Sequence, residues 1–115
     1  MPDELTFRQA IELFLTNQRR FAKIEQRPWG AEGAMIEMIK QVGELAKHVM
    51  VAERYYFAGR EEMWGYVTNK EIIGDELADV FSMVIRLADH YGIDLVEAHL
   101  RARQMEDEYL KSLGV

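Results

Sequence analysis

A chain of 115 residues, 49% hydrophobic and 30% charged, has room for one domain with a core and no more. It has no cysteine, which excludes disulfides, zinc–thiolate centres and thiol catalysis. Its formal charge of −6 argues against a nucleic-acid polymer or an anionic membrane as partner, but not against a phosphorylated small molecule whose charge is carried by bound metal.

The first predicted helix runs from Phe7 to Gln26. Thr6 and Gln9 stand at capping-box spacing, and Phe7, Ile11, Phe14, Leu15, Phe21 and Ile24 supply its apolar side. The run Arg27-Pro28-Trp29-Gly30 stops it, because proline disfavours helix in the residue before it and glycine interrupts any continuation. A second helix is expected over Glu32–Ala58, with Met38, Val42, Leu45, Val49 and Tyr56 as its core stripe. A polar line of Glu37, Gln41, Glu44 and His48 borders that stripe. Gly43 inside this helix weakens it, and close packing would explain its presence. The lone His48 reads as a satisfied bundle histidine in preference to a metal ligand.

Gly59–Val67 is a connector, with Gly59 suited to a helix C′ position. Tyr55, Tyr56, Phe57, Trp64 and Tyr66 concentrate aromatic side chains here. They serve either to cover the bundle end or a subunit contact, or to stack on a nucleobase, for which Trp64 and, further upstream, Trp29 are the candidates. Thr68 and Glu71 have capping-box spacing for a third helix ending near Gly92. Asp94 then caps a fourth helix that runs to about Ser112. The whole reads as a single domain over 1–115, an all-α antiparallel four-helix bundle, cytoplasmic by default, with neither a secretory leader nor a membrane-spanning run.

The chemistry concentrates in the third helix. Glu76 and Asp79, three residues apart, lie roughly 60° apart on one face. The expected apolar stripe is Ile73, Leu77, Val80, Val84, Leu87 and Tyr91, with Glu76 at its edge and Asp79 turned further out. An isolated E-x-x-D is most often an ordinary surface pair. With Glu37, Gln41 and Glu44 on a facing helix, however, hard oxygen groups from two helices suit magnesium or manganese. Other site classes fail. There is no glycine-rich phosphate loop and no nucleophile elbow, and Leu45, Leu87 and Val96 stand where a di-iron bundle needs glutamate before histidine.

Val42-Gly43-Glu44-Leu45, followed by Asp75-Glu76-Leu77-Ala78-Asp79-Val80 and the Tyr91-Gly92-Ile93-Asp94-Leu95 corner, resembles the MazG-like all-α nucleoside triphosphate pyrophosphohydrolases. The resemblance covers about Trp29 to Ala98. It implies cleavage of a nucleoside triphosphate to monophosphate and pyrophosphate, dependence on Mg2+ (with Mn2+ as alternative), and assembly into homodimers or homotetramers. It also implies Glu44, Glu76 and Asp79 as metal ligands. Where the family has the first glutamate of its pair, this chain has Gln41, whose amide oxygen coordinates without charge; Glu37, one turn earlier, is the candidate to compensate. Glu37 or Glu44 is the expected base. Lys40 and Lys47 are placed to reach phosphate, or are simply solvated, and Arg101 is a further candidate anion ligand. The rival reading is a non-catalytic nucleotide-binding or oligomeric interaction module with a degenerate metal site.

Overall fold

The computed structural model describes residues 3–115. They form four helices, α1 (Phe7–Ala22), α2 (Ala31–Ala52), α3 (Lys70–His90) and α4 (Leu95–Ser112), with one 3-10 turn at Arg60–Glu62. No strand occurs among the described residues, so the protein is all-α as expected. No helix among them is long and apolar enough to cross a membrane. The chain forms two compact units: Met1–Pro28 with Ala88–Val115, and Trp29–Leu87.

In the first unit, the predicted capping box closes on α1. Gln9 N–H donates to Thr6 Oγ1 at 3.1 Å, and Thr6 N–H donates to Gln9 Oε1 at 2.8 Å. The helix stops at Ala22, four residues short of the expected end, where the Lys23 and Ile24 amides turn back to the carbonyls of Arg20 and Phe21. The end of α3 carries the predicted glycine stop. Gly92 has φ +64°, and the Ile93 amide reaches the Ala88 carbonyl at 2.8 Å, closing the last turn. Asp94 caps α4 by accepting from the Val96 and Glu97 amides at 3.0 and 3.2 Å. Its carboxyl is held below the ordinary carboxylate range, first by the Glu97 amide and also by the Arg8 guanidinium 3.2 Å away.

The second unit departs more from expectation. Helix α2 ends at Ala52, six residues early. Arg54 takes the left-handed conformation at φ +59°, and the amides of Arg54 and Tyr55 bond to the carbonyls of Val51 and Met50. This is a Schellman stop built on an arginine, so no glycine announced it. Gly59, expected at that stop, instead begins the 3-10 turn with φ +91°. Helix α3 is capped by Asn69, whose side chain accepts from the Ile72 amide at 2.9 Å; Thr68, the expected cap, is engaged elsewhere.

The packed faces of α2 and α3 match the apolar pattern only in part: Met38, Leu45, Ile73, Val80 and Leu87 of the expected stripes are half-buried, and other members are not. On α2, Val42 and Val49 are exposed, while Ala34, His48 and Val51 are buried and Glu37, Gln41 and Glu44 half-buried. At about 100° per residue the packed arc is centred on the polar line between Gln41 and His48. On α3, Leu77 and Val84 are exposed, as is Tyr91 just beyond it, whereas Ile72, Ile73, Glu76, Val80 and Leu87 are half-buried and Met83, Ile85 and Ala88 are buried. One packed arc holds Ile72, Glu76 and Met83, and Ile85, at 2% exposure the most buried side chain of α3, lies on the opposite side. Gly43 lies on the open side of α2, and a β-carbon added there would meet nothing within 4 Å. Close packing within the chain therefore does not explain it.

Candidate metal centre

Three side chains converge within the second unit. Glu44 and His48, one turn apart on α2, and Glu76 on α3 each bring one potential ligand atom within 4.8 Å of the others. His48 is 7% exposed, and the two carboxylates are half-buried. Two acids this close and partly withdrawn from water repel each other unless a cation lies between them.

His48 is the member that the sequence pattern alone does not single out as a ligand. Its Nδ1 lies 3.0 Å from Thr68 Oγ1. With the proton on Nδ1, the ring donates to Thr68 and its Nε2 lone pair remains for a metal, the usual arrangement around a ligating histidine. This explains why Thr68 does not cap α3. A signal is present in the sequence: Glu44 and His48 stand four apart on the same polar line as the predicted ligands.

The remaining predicted site residues divide. Asp79 is exposed and is not part of the convergent group. Glu37 and Gln41 are half-buried on the same line of α2 but engage each other: Gln41 Nε2 donates to Glu37 Oε1 at 2.9 Å, and Lys40 Nζ sits 3.0 Å from the same oxygen. Lys40 thus neutralises Glu37 locally. Lys47 pairs with Glu44 Oε2 at 3.1 Å and lies 5.3 Å over the Tyr66 ring, so it is a half-buried neighbour of the centre and not a freely solvated lysine. Trp29 packs against the Arg86 guanidinium, 4.1 Å from the ring. Trp64 is 96% exposed, and Arg101 is exposed on α4. An open depression lined by Asn17, Arg20, Phe21, Lys23 and Ile24 on and just beyond α1 contains none of the predicted site residues.

The donor set can be tested against the expected metal. Two carboxylates meet the preference of Mg2+ for oxygen, and water normally completes its shell. An imidazole nitrogen is a better ligand for Mn2+ and other first-row ions than for Mg2+. The residues present therefore fit a divalent cation, with Mn2+ suited at least as well as Mg2+. No family model, curated protein or solved structure matches the chain.

Proposed function

We propose that this chain is a metal-dependent nucleotide pyrophosphohydrolase with an antiparallel, MazG-like four-helix arrangement, cleaving a nucleoside triphosphate to monophosphate and pyrophosphate. The observation that carries the reading is the convergence of Glu44 and His48 on α2 with Glu76 on α3. Glu44 and Glu76 are the residues on which the V-G-E-L and D-E-L-A-D-V resemblance rests.

Glu44, His48 and Glu76 would hold the cation, and Asp79 would join if its side chain turns inward on binding. A divalent cation bound there supplies charge neutralisation at the phosphate oxygens. Thr68 fixes the His48 ring through Nδ1. Lys47, already beside Glu44, offers its ammonium to a phosphate oxygen. Glu37 Oε1 is occupied by Gln41 and Lys40, and its second oxygen has no partner among the described residues. Glu37, on the same line of α2 as Glu44, would accept a proton from an attacking water. The aromatic side chains of the connector supply a stacking surface for a base, with Trp64 the most exposed of them.

Homo-oligomeric assembly belongs to the same reading. The open side of α2 presents Met35, Ile39, Val42, Ala46 and Val49 at alternating spacings of four and three. That is the repeat by which one helix pairs with another.

The test is pyrophosphate release from a panel of ribo- and deoxyribonucleoside triphosphates with Mg2+ or Mn2+. Release with at least one nucleotide, lost in Glu76→Gln, is the expected result. No release from any member, with metal and nucleotide both bound, would establish the second reading, a binding module. That alternative is favoured by one observation: the carboxylate that would replace Gln41 is absent, and Glu37 is already tied to Lys40.

A further inference from the structure

Arg60 is the most unusual cation in the second unit. Its guanidinium carbon lies 5.4 Å from the Tyr56 ring centre, 4.9 Å from Phe57 and 4.2 Å from Tyr66. Three rings thus hold a half-buried charge in a fixed place on the connector. Its donors are nearly unused. Nε is buried with no hydrogen-bond partner, and Nη1 makes only a weak contact to Met63 Sδ at 3.9 Å. No carboxylate among the described residues pairs with it, whereas Arg8 has Asp94 and Arg103 has Glu106. An arginine carries five donors in a rigid fork, and leaving the buried Nε–H of Arg60 unsatisfied is unfavourable. A side chain that is costly to hold and already immobilised is suited to a ligand of opposite charge.

The position of Arg60 says which ligand. Two cations, Arg60 and Lys47, lie against the Tyr66 ring, and Lys47 is paired with Glu44 of the metal centre. The connector reaches the same centre through Thr68, which bonds His48. A run of positive groups therefore leads from the convergent acids across Tyr66 to Arg60. The geometry points to Arg60 as a recognition residue for a phosphate oxyanion, taking in bidentate fashion the end of a phosphoanhydride whose other end sits at the metal centre. The planar guanidinium matches a phosphate group, and the three rings fix its plane before the ligand arrives. This inference rests on reading Glu44, His48 and Glu76 as a metal–phosphate centre.

Calorimetric titration of the full chain with inorganic pyrophosphate, with and without Mn2+, tests it. Arg60→Gln is expected to weaken pyrophosphate binding about tenfold or more, because charged hydrogen bonds are lost. Arg60→Lys should recover only part of that affinity, since it keeps the charge and loses the fork. Mn2+ binding in the absence of pyrophosphate should be unchanged in both. In the unsubstituted protein, the Arg60 Nε–H resonance, assigned by its absence in Arg60→Lys, should shift on addition of pyrophosphate. This arm holds even where a substitution perturbs the connector. Equal pyrophosphate affinity in folded Arg60→Gln, an Nε–H signal that does not move, or no pyrophosphate binding by the unsubstituted protein would each overturn the assignment. Arg60-dependent pyrophosphate binding without any metal affinity would support it while removing the metal reading of the centre.

Discussion

The two sides of α2 do not divide as in an ordinary amphipathic helix: Ala34, Met38, Leu45 and Val51 pack together with a polar line, and further apolar residues lie on the open side. Its packed side is centred on Glu37, Gln41, Glu44 and His48, and its open side carries Ile36 and Ile39 at 69% and 66% exposure, with Val42 and Val49 beside them. Burial of apolar surface normally drives a helix the other way, at about 25 cal/mol for each Å² removed from water. A polar line kept inside and an apolar line kept outside both need something further to stabilise them. A cation meets the first need and a second apolar surface meets the second. The proposed metal centre and the proposed assembly interface would thus share one short element.

The contrast between the two sides breaks most completely at the inner one. Removing one carboxylate of the convergent group, by Glu76→Gln or Glu44→Gln, should lower Mn2+ or Mg2+ affinity at least a hundredfold, since each contributes charge as well as a ligand atom. Metal-free Glu76→Gln should melt at or above the unsubstituted temperature, because the repulsion between the acids is relieved while the Glu44–Lys47 pair is kept. Calorimetry for metal and a thermal melt monitored by helicity check both. Retention of metal affinity in either variant would mean that the ions bind elsewhere.

The outer side is tested by Val42→Asp, which places a charge in the middle of the exposed apolar stripe. Because the stripe is already open within one chain, helicity should be retained, whereas a dimer seen for the unsubstituted protein by light scattering should dissociate at micromolar concentration. A monomeric unsubstituted protein would remove the assembly interface and leave the inner side standing.

How far these features were legible depends on what each helix signal encodes. The Thr6–Gln9 box, the Gly92 stop and the Asp94 cap are local, and each is readable from a few neighbouring residues. The early end of α2 is not, because Arg54 adopts a conformation usually given to glycine. The orientation of α2 differs from the pattern because an apolar stripe marks where a helix avoids water, and within one chain Val42 and Val49 of that stripe have no cover. Glu44 and Glu76 stand out by pattern. His48 does not, because its partner, Thr68, lies twenty residues away and has the spacing of a cap.

A smaller effect is expected between the two sides, at Gln41. Gln41→Glu breaks the hydrogen bond to Glu37 and adds a charged oxygen to the polar line three residues before Glu44. Affinity for Mg2+ should rise about tenfold, since ligand charge sets affinity for hard cations. Glu37→Gln should change it little, because Lys40 already neutralises that carboxylate. A Glu37→Gln protein that loses metal, with Gln41→Glu unchanged, would exchange the roles of the two positions.

The smallest effect is expected at Gly43, which lies off the polar line. A methyl there meets no atom of the chain within 4 Å, so Gly43→Ala removes only the backbone freedom that glycine brings to a helix. That is worth about 1 kcal/mol, or roughly 4 °C in the melting temperature of a domain this size. Metal affinity should stay the same, because neither Glu44 nor His48 changes its turn of helix. Assembly supplies the sharper readout. Gly43 borders the exposed stripe, and a second copy whose helix approaches it closely would be pushed away by the added methyl. A more stable protein with an unchanged dimer places the partner over Met35, Ile39, Val42 and Val49 alone. A more stable monomer would place it against the backbone at Gly43, and the glycine would then be explained by the outer side of the helix and not the inner one.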